Sequence, residues 1–201
     1  CKQSLGGCVV CGRLDISCDP LSRWVSDRFG IPFSVLANND LRPTQTISTV
    51  AADTGGYRQL DLQWGIKPHW SRKLIINAQA ETVATKPTFK QAFHNARCLV
   101  PCAGWYEWKD EGGPRKQRYV FADPEGNPLM MAGLYFNAQS APQLVTLTTE
   151  PSTEAALIHH RMPLIIDLAN IDQWLSGTPA EVAPLLMPAH GPDLQITPVN
   201  S

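Results

Sequence analysis

The chain has 201 residues, 43% of them apolar, enough for a packed core in one domain or at most two small ones. Its 17 Lys and Arg stand against 18 Asp and Glu, a net charge of −1, which argues against a surface coated in basic charge for duplex binding; any nucleic-acid contact must use a local basic groove. No run of about 18 apolar residues is present, which excludes a membrane-spanning helix, and 17 prolines favour strands, turns and ordered loops over a helical bundle.

In chain order, Val9–Ile16 reads as a first strand interrupted by Gly12. Asp19-Pro20 opens a helix on which Leu21, Trp24, Val25 and Phe29 recur at helical spacing until Gly30 stops it. Thr46–Ala51 is a β-branched strand, Gly55-Gly56 a turn, and Tyr57–Trp64 a strand that sends Leu60, Leu62 and Trp64 inward. Leu74-Ile75-Ile76 reads as a short buried strand leading into Asn77, and Thr88–Arg97 as a short helix. Arg97–Val100, Trp105–Lys109, Gln117–Ala122, Leu129–Tyr135 and Leu144–Thr149 follow as strands, with a hairpin loop at Glu111-Gly112-Gly113. Glu154–Ile158 is a short helix, Met162–Ile166 a strand with Pro163 at its edge or entry, and Leu168–Leu175 and Ala180–Leu186 are helical. The expected class is α+β: a single domain whose bent, largely antiparallel, barrel-like sheet is flanked by short helices.

The six cysteines are Cys1, Cys8, Cys11, Cys18, Cys98 and Cys102. No secretory signal precedes them, so the chain is expected in the cytoplasm with reduced thiols. Cys8-x-x-Cys11 has the spacing of half a zinc site, but Cys98 and Cys102 make a poor second pair; buried small hydrophobes are the plainer reading, and no metal or other cofactor is expected. In Cys11-Gly12-Arg13, Gly12 permits close backbone approach and Arg13 can bind a phosphate bidentately. Were Cys11 the first residue, its α-amine and thiol would form a 1,2-aminothiol, which condenses with an aldehyde to an imine and closes to a thiazolidine. Glu107 lies in Gly104-Trp105-Tyr106-Glu107-Trp108, and a carboxyl among aromatics is either a paired structural acid or a tuned acid/base. Asn77 reads most simply as a turn or cap residue, and His159 as a hydrogen-bonded core or surface histidine.

Jointly, these segments resemble the SOS-response-associated peptidase family over about Cys11 to Pro198. The carrying motifs, in family order, are Val10-Cys11-Gly12-Arg13, Leu41-Arg42-Pro43-Thr44-Gln45, Trp64-Gly65-Ile66-Lys67-Pro68-His69-Trp70 and Asn77-Ala78-Gln79-Ala80-Glu81-Thr82. Arg97-Cys98-Leu99-Val100-Pro101 with Gly104–Trp108, and Ile158-His159-His160-Arg161-Met162-Pro163, complete them. The resemblance implies an abasic-site sensor that binds single-stranded DNA in a positive groove and forms a covalent thiazolidine through its N-terminal Cys. By the same resemblance Cys11 is the nucleophile and Asn77 orients the amine and the sugar. Glu107 handles protons during self-removal of the preceding residues and during imine formation. His159 is the acid/base on the opened deoxyribose. Arg13 and Arg161 would hold phosphates, Trp70 would stack on bases, and Arg72, Lys73 and Lys86, with Lys67 and Lys90, would extend the groove. A cytoplasmic, nucleoid-associated monomer with autopeptidase and lyase-like activity is expected.

Four departures from the family pattern bear on this. Ten residues precede Cys11: an extension over 1–10 that is either an artefact of start-site choice (Val10 being the true start), a self-cleaved segment, or a block on the nucleophile, ahead of a domain over 11–201. His160 stands where Asp is usual, Gln79 where a phosphate-binding Arg is usual, and the chain ends short of the usual tail. The competing readings are a cysteine-type peptidase acting in trans, which would pair Cys11 with His159, and a non-covalent single-stranded-DNA binding module.

Overall fold

The computed structural model describes residues 12–17, 20–138, 141–188 and 191–200. The N-terminal segment contributes strand β1 (Leu14–Asp15) and helix α1 (Pro20–Phe29), followed by β2 (Thr46–Asp53), β3 (Gly56–Trp64), β4 (Asn77–Gln79), α2 (Ala80–Val83) and α3 (Pro87–Asn95). The middle is all strand: β5 (Arg97–Cys102), β6 (Gly104–Lys109), β7 (Gln117–Ala122), β8 (Leu129–Phe136) and β9 (Gln143–Thr149). Then come α4 (Thr153–Ala156), β10 (Met162–Pro163), α5 (Ile171–Ser176), α6 (Pro179–Val182) and β11 (Gln195–Val199), with short 3-10 turns before α5 and after α6.

Helix α1 buries Leu21, Val25 and Phe29, spaced four apart on one face, and ends where Gly30 turns to φ +65°. β2 and β3 form an antiparallel hairpin in the register Thr46↔Gln63 to Asp53↔Gly56, so the turn is Thr54-Gly55 and Gly56 already belongs to β3. β2 also pairs β5, β5 pairs β8, and β8 pairs β9, all antiparallel, while β9 pairs β3 in parallel. Those five strands close on themselves, so the expected bent sheet is a ring. Trp64, Leu62, Val50, Leu99 and Leu144 are all buried within this closed layer's core. No helix among the described residues is long and apolar enough to cross a membrane.

β9 is the hub. On one side it meets first β3 (Gln63↔Gln143, Trp64↔Leu144) and then β4 (Asn77↔Thr146, Ala78↔Leu147, Gln79↔Thr148). On the other it meets β8 and then β10 (Met162↔Thr149, Pro163↔Thr148). Asn77 therefore opens a strand and is not the turn residue its local sequence suggests. Ile75, expected within a strand of its own, instead pairs Ile66 and closes the base of the loop that carries Trp70. The expected strand over Met162–Ile166 shrinks to Met162–Pro163, followed by one bridge from Ile165 to Met131.

A second, four-stranded sheet has the order β1-β6-β7-β11. Only Ala103 separates β5 from β6, so the chain passes directly from the ring into this sheet. Gly104 is required there by space: a Cβ would sit 2.3 Å from the Phe121 carbonyl oxygen of β7. Trp105 stacks on Phe121 with ring centroids 4.8 Å apart. Of the strand expected over Val9–Ile16, the described part retains Leu14–Asp15; Val9 to Cys11 lie outside the described residues.

Candidate functional site

Glu107 is 3% exposed, on the same face of β6 as Trp105, while Tyr106 and Trp108 project from the opposite face. Each aromatic of that opposite face carries an arginine: Arg118 lies 4.4 Å from the Tyr106 ring centroid and Arg13 5.7 Å from that of Trp108. Leu14 pairs Trp105 and the Arg13 carbonyl accepts the Tyr106 N–H, so the antiparallel register sets Gly12 level with Glu107. Cys11, one residue earlier, lies outside the described residues, as do Cys1, Cys8 and Cys18. Cys98 and Cys102 are buried in β5, where burial pushes both thiols well above the ordinary range, as expected of cysteines used as small hydrophobes. Among the described residues no three metal-ligating side chains converge.

Asn77 is half-buried at the start of β4. Its Oδ1 accepts the Thr146 hydroxyl at 2.5 Å from the neighbouring β9. Two residues along β9, about 7 Å away at strand spacing, the Thr148 carbonyl accepts a hydrogen bond from Arg161 at 2.7 Å. The Arg161 guanidinium is also forked onto both carboxylate oxygens of Glu81, at 2.7 and 2.8 Å. That hydrogen-bonded pairing outweighs burial and holds the Glu81 carboxyl below the ordinary glutamate value. His159 is 8% exposed, and its Nδ1 faces the Arg161 backbone, 3.2 Å from the N–H and 3.1 Å from the carbonyl. With the ring neutral, Nδ1 accepts the Arg161 N–H and Nε2 carries the proton; once Nδ1 is protonated it donates to the Arg161 carbonyl. Burial holds His159 below the ordinary histidine value, helped by the charges of His160 and Lys116 and opposed by the Arg161 carbonyl. The His160 ring lies against it, centroids 4.4 Å apart.

β9 thus brings Asn77, His159 and Arg161 to one end of the ring, while Glu107 stands on the second sheet. Arg13 lies beside Glu107's sheet, its guanidinium over Trp108 and paired with Asp40, which Arg42 also engages. Burial works to raise the Asp40 carboxyl, but the two guanidiniums together hold it low. Trp70 is 60% exposed on the loop between β3 and β4, with Arg72 and Lys73 exposed beside it in sequence. Lys86 is exposed at the entry to α3. Sequence reasoning singled out neither Thr146, Glu81, Asp40 nor Arg42 as site residues. Glu81 and Arg42 lie inside motifs already quoted, which was their only local signal; Thr146 is an unremarked Thr in a strand, legible only through its pairing with β4.

A family model described as SOS response associated peptidase matches residues 10–201. The chain belongs to that family. Within the SOS response associated peptidase family, the abasic site processing protein YoqW of Bacillus subtilis is 29% identical over 208 aligned positions, spanning 96% of this chain and 93% of its own. The abasic site processing protein YobE of the same organism is 31% identical, spanning 81% of this chain and 80% of its own. A crystal structure of a phage-related protein from Bordetella bronchiseptica superposes with a TM-score of 0.77 at 26% identity, covering 95% of each chain.

Proposed function

We propose that this chain acts on abasic sites in single-stranded DNA and joins itself to them through Cys11. The observation that carries the reading is the hub role of β9: it holds Asn77 and the His159–Arg161 turn, from separate motifs far apart in the chain, within about two residues of each other. Family membership and relatives named abasic site processing proteins point the same way.

The chemistry needs a free α-amine on Cys11, released by hydrolysis of the Val10–Cys11 amide to a carboxylate and an amine, with Glu107 as the base that activates water. The neutral amine adds to the C1′ aldehyde of the ring-opened deoxyribose, giving a carbinolamine. A proton passed through Glu107 lets the hydroxyl leave as water, forming the imine. The Cys11 sulfur then adds to the imine carbon, nitrogen takes the proton, and the thiazolidine closes. One water is lost overall. Neutral His159 exchanges the proton that opens the sugar ring. The exposed Trp70 with Arg72 and Lys73 next to it in sequence offers a stacking surface beside cations, and Lys86, with Arg13 and Arg161 exchanging their carboxylate partners, would contact phosphates.

The test is the intact mass of the protein with and without a single-stranded oligonucleotide carrying one abasic site. The expected result is a protein mass starting at Cys11 and an adduct equal to protein plus oligonucleotide less one water. Cys11→Ala removes the adduct and leaves the folded state intact; an adduct that survives this change overturns the reading. Equal, reversible binding of intact and abasic strands would instead establish a non-covalent binding module.

A further inference from the structure

Asn77 has to present a definite end of its carboxamide, since oxygen accepts and nitrogen donates, and a rotation of half a turn exchanges the two. The neighbouring strand constrains that choice. Thr146 is 1% exposed and lies directly across from Asn77 in the parallel β4–β9 pair. Its oxygen is 2.5 Å from Asn77 Oδ1. That separation is within the range of O–H···O bonds and shorter than N–H···O bonds ordinarily reach, so the hydroxyl faces the carbonyl end of the amide. The alternative acceptor for the same hydroxyl, the Ile76 carbonyl, is 3.3 Å away and already receives the Thr146 backbone N–H at 3.0 Å. Thr146 is itself held on two sides, by β4 through Asn77 and by β8 through Gly133.

We infer that Thr146 is a positioning residue: its buried hydroxyl holds the Asn77 carboxamide with its oxygen toward β9 and its amino end away from that strand. A donor at that place suits an atom that gains electron density, such as the aldehyde oxygen as the amine adds to C1′. In this role Thr146 acts through Asn77. The inference rests on the abasic-site reading above for its catalytic consequence, but its geometric content stands on its own.

The experiment compares wild type, Thr146→Val and Thr146→Ser. Valine keeps the shape and removes the donor; serine keeps the donor. The first readout is the Asn77 side-chain amide pair in a nitrogen–proton NMR spectrum without DNA. It should shift and exchange faster in Thr146→Val and return toward wild type in Thr146→Ser. Unchanged Asn77 signals in Thr146→Val overturn the inference, whether or not the protein acts on DNA. The second readout is the single-turnover rate of adduct formation against oligonucleotide concentration. The limiting rate should fall about tenfold in Thr146→Val, as loss of one oriented hydrogen bond predicts. The half-saturating concentration should stay within about twofold, and Thr146→Ser should recover most of the rate. A Thr146→Val protein with full limiting rate overturns the inference while leaving the function intact. A wild type that forms no adduct overturns the function, and the NMR comparison still decides the orientation.

Discussion

At the scale of single residues, the proton exchange proposed for His159 leads to a pH prediction. Burial and the neighbouring His160 and Lys116 charges favour the neutral ring, so its folded-state pKa lies below the ordinary value of about 6.5. Its neutral form therefore contributes stability above pH 6.5, and that contribution is lost as pH falls from there through the folded-state value. The same shift places the acid limb of adduct formation below pH 6.5, because the proposed step uses the neutral imidazole. His160→Asp puts a carboxylate where the His160 ring now lies against His159, which favours the imidazolium and moves the acid limb upward. A rate profile from pH 5 to 8 on both proteins checks this; an unmoved limb means that His159 does not govern the rate.

At the scale of elements, Arg97 joins pieces that share no sequence neighbourhood. Its buried guanidinium donates to the carbonyls of Phe93 and His94 at the end of α3 and of Trp174 and Gly177 at the end of α5. A cation at two helix C-termini meets the negative ends of both dipoles and satisfies carbonyls the helices leave over. Burial lowers its own pKa, yet it stays charged because arginine starts so high. Arg97→Met keeps the bulk and leaves those carbonyls unpaired, which should cost about 3 kcal/mol. Urea unfolding reads this as a lower midpoint at unchanged slope; an unchanged midpoint would show the carbonyls finding other donors. Elements of this kind mark what was legible in advance. The β2–β3 hairpin was visible in alternation around Gly55, and α1 in the spacing of Leu21, Val25 and Phe29. β4 and β11 were not: Asn77–Gln79 becomes strand by parallel pairing with β9, and Gln195–Val199 by pairing with β7, partners no local pattern announces. The site divides likewise: its motifs were legible, whereas the Arg161–Glu81 fork and the Thr146 hydroxyl arise only once β9 draws separate motifs together.

At the scale of the whole molecule, a net charge of −1 leaves DNA affinity to local cations. Asn77 and Gln79 lie two apart on β4 and so share a face, and Gln79 is exposed where the family pattern has Arg. Gln79→Arg should therefore tighten binding to a single strand and steepen the dependence of log K on log salt by about 0.7, the increment for one further phosphate contact. Titrations at three or more salt concentrations measure it; tighter binding with an unchanged slope would place the new arginine away from the phosphates.

The outermost strands also govern what the molecule refuses to join. β10 carries Pro163 and is two residues long; β11 carries Pro198; and β1 is covered on its far side by Leu41, which exchanges backbone hydrogen bonds with Leu14. On these three strands a foreign strand finds only short, proline-interrupted or already paired rows of backbone donors and acceptors, which limits templated aggregation there.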